Sequence, residues 1–133
     1  MADHHNDNLF QVSVKGLYFD RDGRVLIMKD EHGLWDFPGG RMQRGEELIE
    51  SLKRECKEET GLVCRVLGEQ PDIVYAAKDK EGRYRIMVFY RIDLNSLNFT
   101  PSEECVEIRF CAKEEIARLD LYPQLIKLID FLK

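Results

Sequence analysis

The sequence is poor in histidine, the side chain best suited to proton transfer near neutral pH. It has three, and two of them, His4 and His5, stand in the polar start MADHHND, where a frayed tip is the simplest reading. The third, His32, sits in the loop Glu31-His-Gly33, so the chain does not point to a histidine base. Cysteine is limited to positions 56, 64, 105 and 111, with no CxxC spacing. That speaks against thiol zinc sites and dithiol redox motifs and predicts free thiols in a reducing, cytoplasmic setting. No apolar run approaches the roughly 20 residues of a membrane span, and the start lacks a signal-peptide pattern. Excess basic charge is also missing. A formal net charge of −5 argues against bulk nucleic-acid binding across a basic surface. It leaves room for an anionic small substrate, because a bound cation inverts the local field. There is no internal repeat, low-complexity segment or linker. The 133 residues predict one domain with one core, spanning 9–133 behind a polar tail at 1–8.

What is present is a chain of short strands around one strongly patterned helix. Leu9 to Phe19 reads as a strand, Asp20-Arg-Asp-Gly23 as a turn and Val25 to Met28 as the partner strand, so the spacing predicts a hairpin. Trp35 and Phe37 alternate as in a short strand ended by Pro38. Val63–Leu67, Ile73–Lys78, Arg83–Asp93 and Val106–Phe110 read as further strands, with RYRIMVFYRID the strongest. Lys113–Leu119 reads as a short helix. Pro123 opens a terminal helix whose expected buried face is Leu125, Ile126, Leu128, Ile129 and Leu132. The order implies a mixed sheet between helices, an α/β fold.

The stretch GRMQRGEELIESLKRECKEETGL, from Gly40 to Leu62, carries the chemistry. With Leu48 at 0° and about 100° per residue, Leu52, Cys56 and Ile49 fall at about 40°, 80° and 100°, an apolar stripe. Glu46, Glu50, Lys53 and Lys57 fall on the far side, which reads as a solvated face. Glu55 and Glu59 instead fall at about −20° and 20°, on the edge of the apolar stripe, with Glu58 at about −80°. Like charges three and four residues apart cost about 0.2–0.5 kcal/mol per pair. Their place near the helix C-terminus adds roughly 0.3–1 kcal/mol each. Gly61 is a natural residue to stop the helix there. Carboxylates gathered at the wrong helix end need compensation, and an oxygen-seeking dication supplies it.

These residues resemble the Nudix box, G-x5-E-x7-R-E-U-x-E-E-x-G-U, where U is a bulky aliphatic residue. The fixed letters are Gly40, Glu46, Arg54, Glu55, Glu58, Glu59 and Gly61, and they follow an entry, W-x-F-P-G-G, that is also similar to the family's. Seven fixed letters arise by chance on the order of once in 10⁸–10⁹ starting points. Cys56 is the one departure, a small residue able to pack at a U position.

The resemblance implies an α/β/α sandwich with a mixed β-sheet between helices. It also implies hydrolysis of the pyrophosphate linkage of a nucleoside diphosphate joined to another group. The small-molecule nucleotide would be bound by a monomer or homodimer. By the same resemblance Glu55, Glu58, Glu59 and the Gly39 carbonyl would hold Mg²⁺, with Mn²⁺ as a substitute, and one glutamate would be the general base. Arg54 would pair with Glu46, although Glu50, four residues back, is an equal rival from helix spacing alone. Glu104, in SEECVEIRF, would add a further acid to the site, with Glu103 and Glu107 as rivals. A compact chain looks most like the mutator-type nucleoside triphosphate pyrophosphohydrolases. ADP-ribose, dinucleoside polyphosphates, RNA 5′ ends (through Arg83, Arg85 and Arg91) and a silent binding domain remain as alternatives. Tyr18, Tyr75, Tyr84, Phe89 and Tyr90 are the aromatics available to stack on a base.

Overall fold

The computed structural model describes residues 8–132, so His4, His5 and all but the last residue of the polar tail lie outside the described residues. The strands are β1 (Gln11–Leu17), β2 (Val25–Lys29), β3 (Trp35–Asp36), β4 (Gly39–Arg41), β5 (Cys64–Val66), β6 (Ile73–Lys78), β7 (Tyr84–Leu94) and β8 (Glu107–Cys111). The helices are α1 (Leu48–Thr60), α2 (Lys113–Ile116) and a terminal 3₁₀ helix, Pro123–Phe131.

β7 is the spine. It runs parallel to β1 and antiparallel to β5 and β6, and β1 in turn pairs antiparallel with β4, giving a five-stranded mixed sheet. Side chains alternate along β7 because successive Cβ atoms point to opposite faces. Met87 and Phe89 enter one core, with Phe37, Trp35, Leu125 and Leu128. Val88, Tyr90 and Ile92 enter the other, with Leu52 and Cys56 of α1. The sheet is therefore covered on both faces, which is why the middle of β7, Ile86 to Tyr90, reads as an unbroken apolar run.

Three expectations need correction. In place of the single core expected, there are two, one on each face of the sheet. The hairpin closes only at its tip, through the Phe19–Val25 bridge. Beyond it the strands part, and β2 joins β3 and β8 in a separate three-stranded antiparallel sheet. The terminal helix winds with three residues per turn, so Leu125 and Leu128 stack on one buried side while Ile126 is 59% exposed. The described residues contain no helix long and apolar enough to cross a membrane. The four cysteines are free and buried.

Three loops share one construction. Asp20, Asp30 and Asp79 each accept, through Oδ1, the N–H groups two and four residues on, at 2.9–3.0 Å. Each is followed three residues later by a glycine with positive φ: Gly23, Gly33 and Gly82. The aspartate stands in for a backbone acceptor, so a D-x-x-G loop is held by its own first side chain.

Candidate active site

The α1 helix places the carboxylates. Leu52 and Cys56 anchor its buried stripe, and Gly61, with φ of 74°, ends it by donating its N–H to the Lys57 carbonyl. Glu50, Lys53 and Lys57 are exposed, as the wheel predicts. Glu46 is not, since its side chain is 15% exposed and lies under Arg54.

Arg54 pairs with Glu46 and not with Glu50. Nε donates to Glu46 Oε2 at 2.6 Å and Nη2 to Oε1 at 3.0 Å, the forked geometry that suits a guanidinium and a carboxylate. Nη1 also donates to Glu55 at 2.9 Å and to Glu58 at 3.1 Å. One planar cation thus fixes three glutamates. The Arg54 bonds, together with the Gln43 N–H, hold the Glu46 pKa down at about 2.

Glu59 is 5% exposed and accepts the Gly39 N–H at 2.9 Å. Burial pushes its pKa well above the carboxylate range; Lys15 and the Gly39 N–H oppose that rise, while Asp36 and Glu104 add to it. The two glycines are there for space. A Cβ on Gly39 would lie 2.1 Å from the Val14 carbonyl oxygen, and one on Gly40 would lie 2.6 Å from the Glu55 carboxyl.

Glu104 arrives from the loop between β7 and β8. That loop docks on the C-terminal end of α1: Ser102 Oγ donates to the Glu59 carbonyl at 2.7 Å and the Thr100 N–H to the Thr60 carbonyl at 2.8 Å. Two helix carbonyls without intrahelical donors are thereby satisfied. As a result, one carboxylate oxygen each from Glu55, Glu59 and Glu104 lie within 4.8 Å of one another. Glu58 stands outside this group, exposed and tied to Arg54, as its angle of about −80° implies. Glu103 lines the same cleft without joining the group, and Glu107 faces Lys29 and Arg109. The all-oxygen, acidic donor set suits Mg²⁺ or Mn²⁺.

The trio opens on a cleft of about 380 Å³, large enough for a nucleotide. Sequence reasoning missed Lys15, Asp36, Tyr122 and Gln124 in its lining and offered Arg85 only as part of a basic track. Gln124 is 7% exposed, and its Oε1 has no hydrogen-bond partner among the described residues. Tyr122 donates its hydroxyl to Asp30. None of the five aromatics singled out from the sequence lines the cleft. Tyr75 and Phe89 stack in the core, and Tyr84 lies against Phe10. His32 reaches the cleft rim as an exposed loop residue. Arg83 and Arg85 both converge on Asp79, at 3.0 and 2.9 Å, so two of the three arginines of RYRIMVFYRID form no free basic track.

The NUDIX domain family model matches residues 9–132. The chain belongs to the Nudix family. It is a pyrophosphohydrolase of that family, acting on small nucleotide substrates. A CTP pyrophosphohydrolase of Escherichia coli is 28% identical over 125 residues, covering 90% of this chain and 89% of the relative. An ADP-ribose pyrophosphatase of Methanocaldococcus jannaschii is 28% identical over 116 residues, covering 81% of this chain and 65% of the relative. Among solved structures, a MutT protein from Methanosarcina mazei superposes with a TM-score of 0.76 at 21% identity, covering 92% of each chain. It shares the sandwich fold found here.

Proposed function

We propose that this Nudix hydrolase cleaves the phosphoanhydride of a nucleoside triphosphate by water attack at phosphorus, with Mg²⁺ or Mn²⁺ at Glu55, Glu59 and Glu104. The observation that carries the reading is the approach of those three carboxylates to within 4.8 Å beside a nucleotide-sized cleft. Similarity to a CTP pyrophosphohydrolase along nearly the full length of both chains favours a triphosphate. When bound, a divalent ion neutralises phosphate charge and acidifies the attacking water. The chain's own residues do the positioning. Arg54 fixes Glu55 and Glu58, the Gly39 N–H fixes Glu59, and Ser102 holds the loop that carries Glu104. Glu58, at the edge, and the Gly39 carbonyl complete the donors available to an ion, and one of the four glutamates takes the water's proton. Four buried free thiols fit a reducing cytoplasm.

The test is a substrate panel with Mg²⁺: nucleoside triphosphates, ADP-ribose, dinucleoside polyphosphates and 5′-triphosphorylated RNA, with products identified. A nucleoside triphosphate should yield the monophosphate and pyrophosphate, and a chelator should stop it. Preferred turnover of ADP-ribose would overturn the substrate assignment. No turnover with either ion would overturn the reading as a whole.

A further inference from the structure

β1 sends a charge into the interior. The Lys15 side chain is 6% exposed, and lysine is almost never buried this far without partners. Its ammonium donates to Gly39 O at 3.0 Å, to Asp36 Oδ2 at 3.1 Å and to Phe37 O at 3.5 Å. The β1–β4 register sets Lys15 opposite Gly39. The N–H of that same glycine goes to Glu59 at 2.9 Å. One residue of β4 therefore joins a buried ammonium to a buried carboxylate. Asp36 is the direct ion pair of Lys15, yet the ammonium also lies in the field of Glu59 and Glu55, which line the same cleft. A cation has thus been built into the rim of a site whose donors suit a dication, and it engages the carbonyl that the Nudix motif offers to the ion.

We propose that Lys15 is a tethered cation that sets how tightly the carboxylate cluster binds a divalent ion, by engaging the Gly39 carbonyl and placing one positive charge beside Glu55 and Glu59. Asp36 is its counterweight, since it neutralises part of that charge. The inference rests on the metal-site reading above. Like charges repel more strongly in a partly buried site than in water. Lys15 therefore weakens the resting affinity, and the negative charge of substrate phosphates offsets it.

The test reads Mn²⁺ binding without nucleotide, from the electron paramagnetic resonance signal of free Mn²⁺, on the full chain. Lys15→Met keeps the apolar stem and removes the charge. It should bind Mn²⁺ about tenfold more tightly than the parent, and Asp36→Asn more weakly by a similar factor. A role confined to holding the strands together would weaken binding in both variants. Glu59→Gln separates the two ideas. If it binds Mn²⁺ as the parent does, or if the parent does not bind, the metal-site reading falls and this proposal with it. If Glu59→Gln loses affinity while Lys15→Met binds no more tightly than the parent, the Lys15 proposal alone is overturned. Should Lys15→Met fail to fold by circular dichroism, Lys15→Gln, which keeps a donor for the Gly39 carbonyl without the charge, decides, and binding no tighter than the parent there overturns the proposal.

Discussion

Asp79 shows how much one side chain can organise. It caps its own hairpin loop through Oδ1 and receives Arg83 and Arg85 on Oδ2, with its side chain only 2% exposed. Burial pushes its pKa up, but the Arg83 N–H and the two guanidiniums outweigh that and hold it at about 2. A carboxylate with a depressed folded pKa stabilises the protein above its unfolded value, here 3.8, and loses that contribution as pH falls toward about 2. Asp79→Asn keeps the turn acceptor and strips both ion pairs, leaving the buried Arg85 charge uncompensated. It should cost on the order of 2–3 kcal/mol at neutral pH in urea unfolding. The gap from the parent should narrow as the pH is lowered from about 4 to about 2. A gap that does not change with pH would show that the ion pairs contribute nothing. The D-x-x-G pattern of this loop is plain in the sequence, but the partner is not. Arg85 reaches Asp79 only because β6 and β7 pair, and Ser13 receives Arg85 at 3.0 Å only because β1 lies alongside.

Among the elements, α1 was the most legible. Its stripe, its stop at Gly61 and the odd placement of Glu55 and Glu59 all follow from a 100° step. The pairing of Arg54 did not, because helix spacing offers Glu50 and only the fold of residues 40–47 brings Glu46 under the guanidinium. The β1–β2 hairpin and the terminal helix failed for a similar reason. A strand's alternation says which face is buried but not which strand lies next to it, and an apolar run does not distinguish a period of 3.0 from 3.6. The loop at 100–105 joins helix to site, so its role can be tested at this scale. Ser102→Ala removes the donor to the Glu59 carbonyl and should cost about 1 kcal/mol. Because Glu104 then loses its support, the Mg²⁺ concentration for half-maximal turnover should rise. Unchanged stability and unchanged Mg²⁺ dependence would mean that the loop is held by its backbone alone.

Across the whole molecule, the sandwich brings together charges that are remote in the chain. Lys15 comes from β1, Asp36 from β3, Gly39 from β4, Glu55 and Glu59 from α1, and Glu104 from a loop. Glu55, Glu58 and Glu59 were legible because they share one helix. Lys15 and Gln124 were not, because an isolated lysine on a strand and a glutamine near the C-terminus carry no local pattern.

On the metal reading proposed above, this assembly is strained without a dication and relieved by one. Thermal unfolding of the parent, Glu59→Gln and, as a control on the exposed face, Glu50→Gln, each in chelator and in saturating Mg²⁺, measures that strain. Glu59 is a buried carboxyl beside Asp36 and Glu104, and glutamine keeps its acceptor for the Gly39 N–H while shedding the charge. In chelator near pH 8, Glu59→Gln should melt above the parent by roughly 2–5 °C. Mg²⁺ should raise the parent more than the variant, because an ion that binds the folded state stabilises it by mass action. Turnover of Glu59→Gln should fall by orders of magnitude, and Glu50→Gln should follow the parent throughout. If Glu59→Gln melts below the parent in chelator and gains as much from Mg²⁺, the carboxylate is structural and the metal site lies elsewhere.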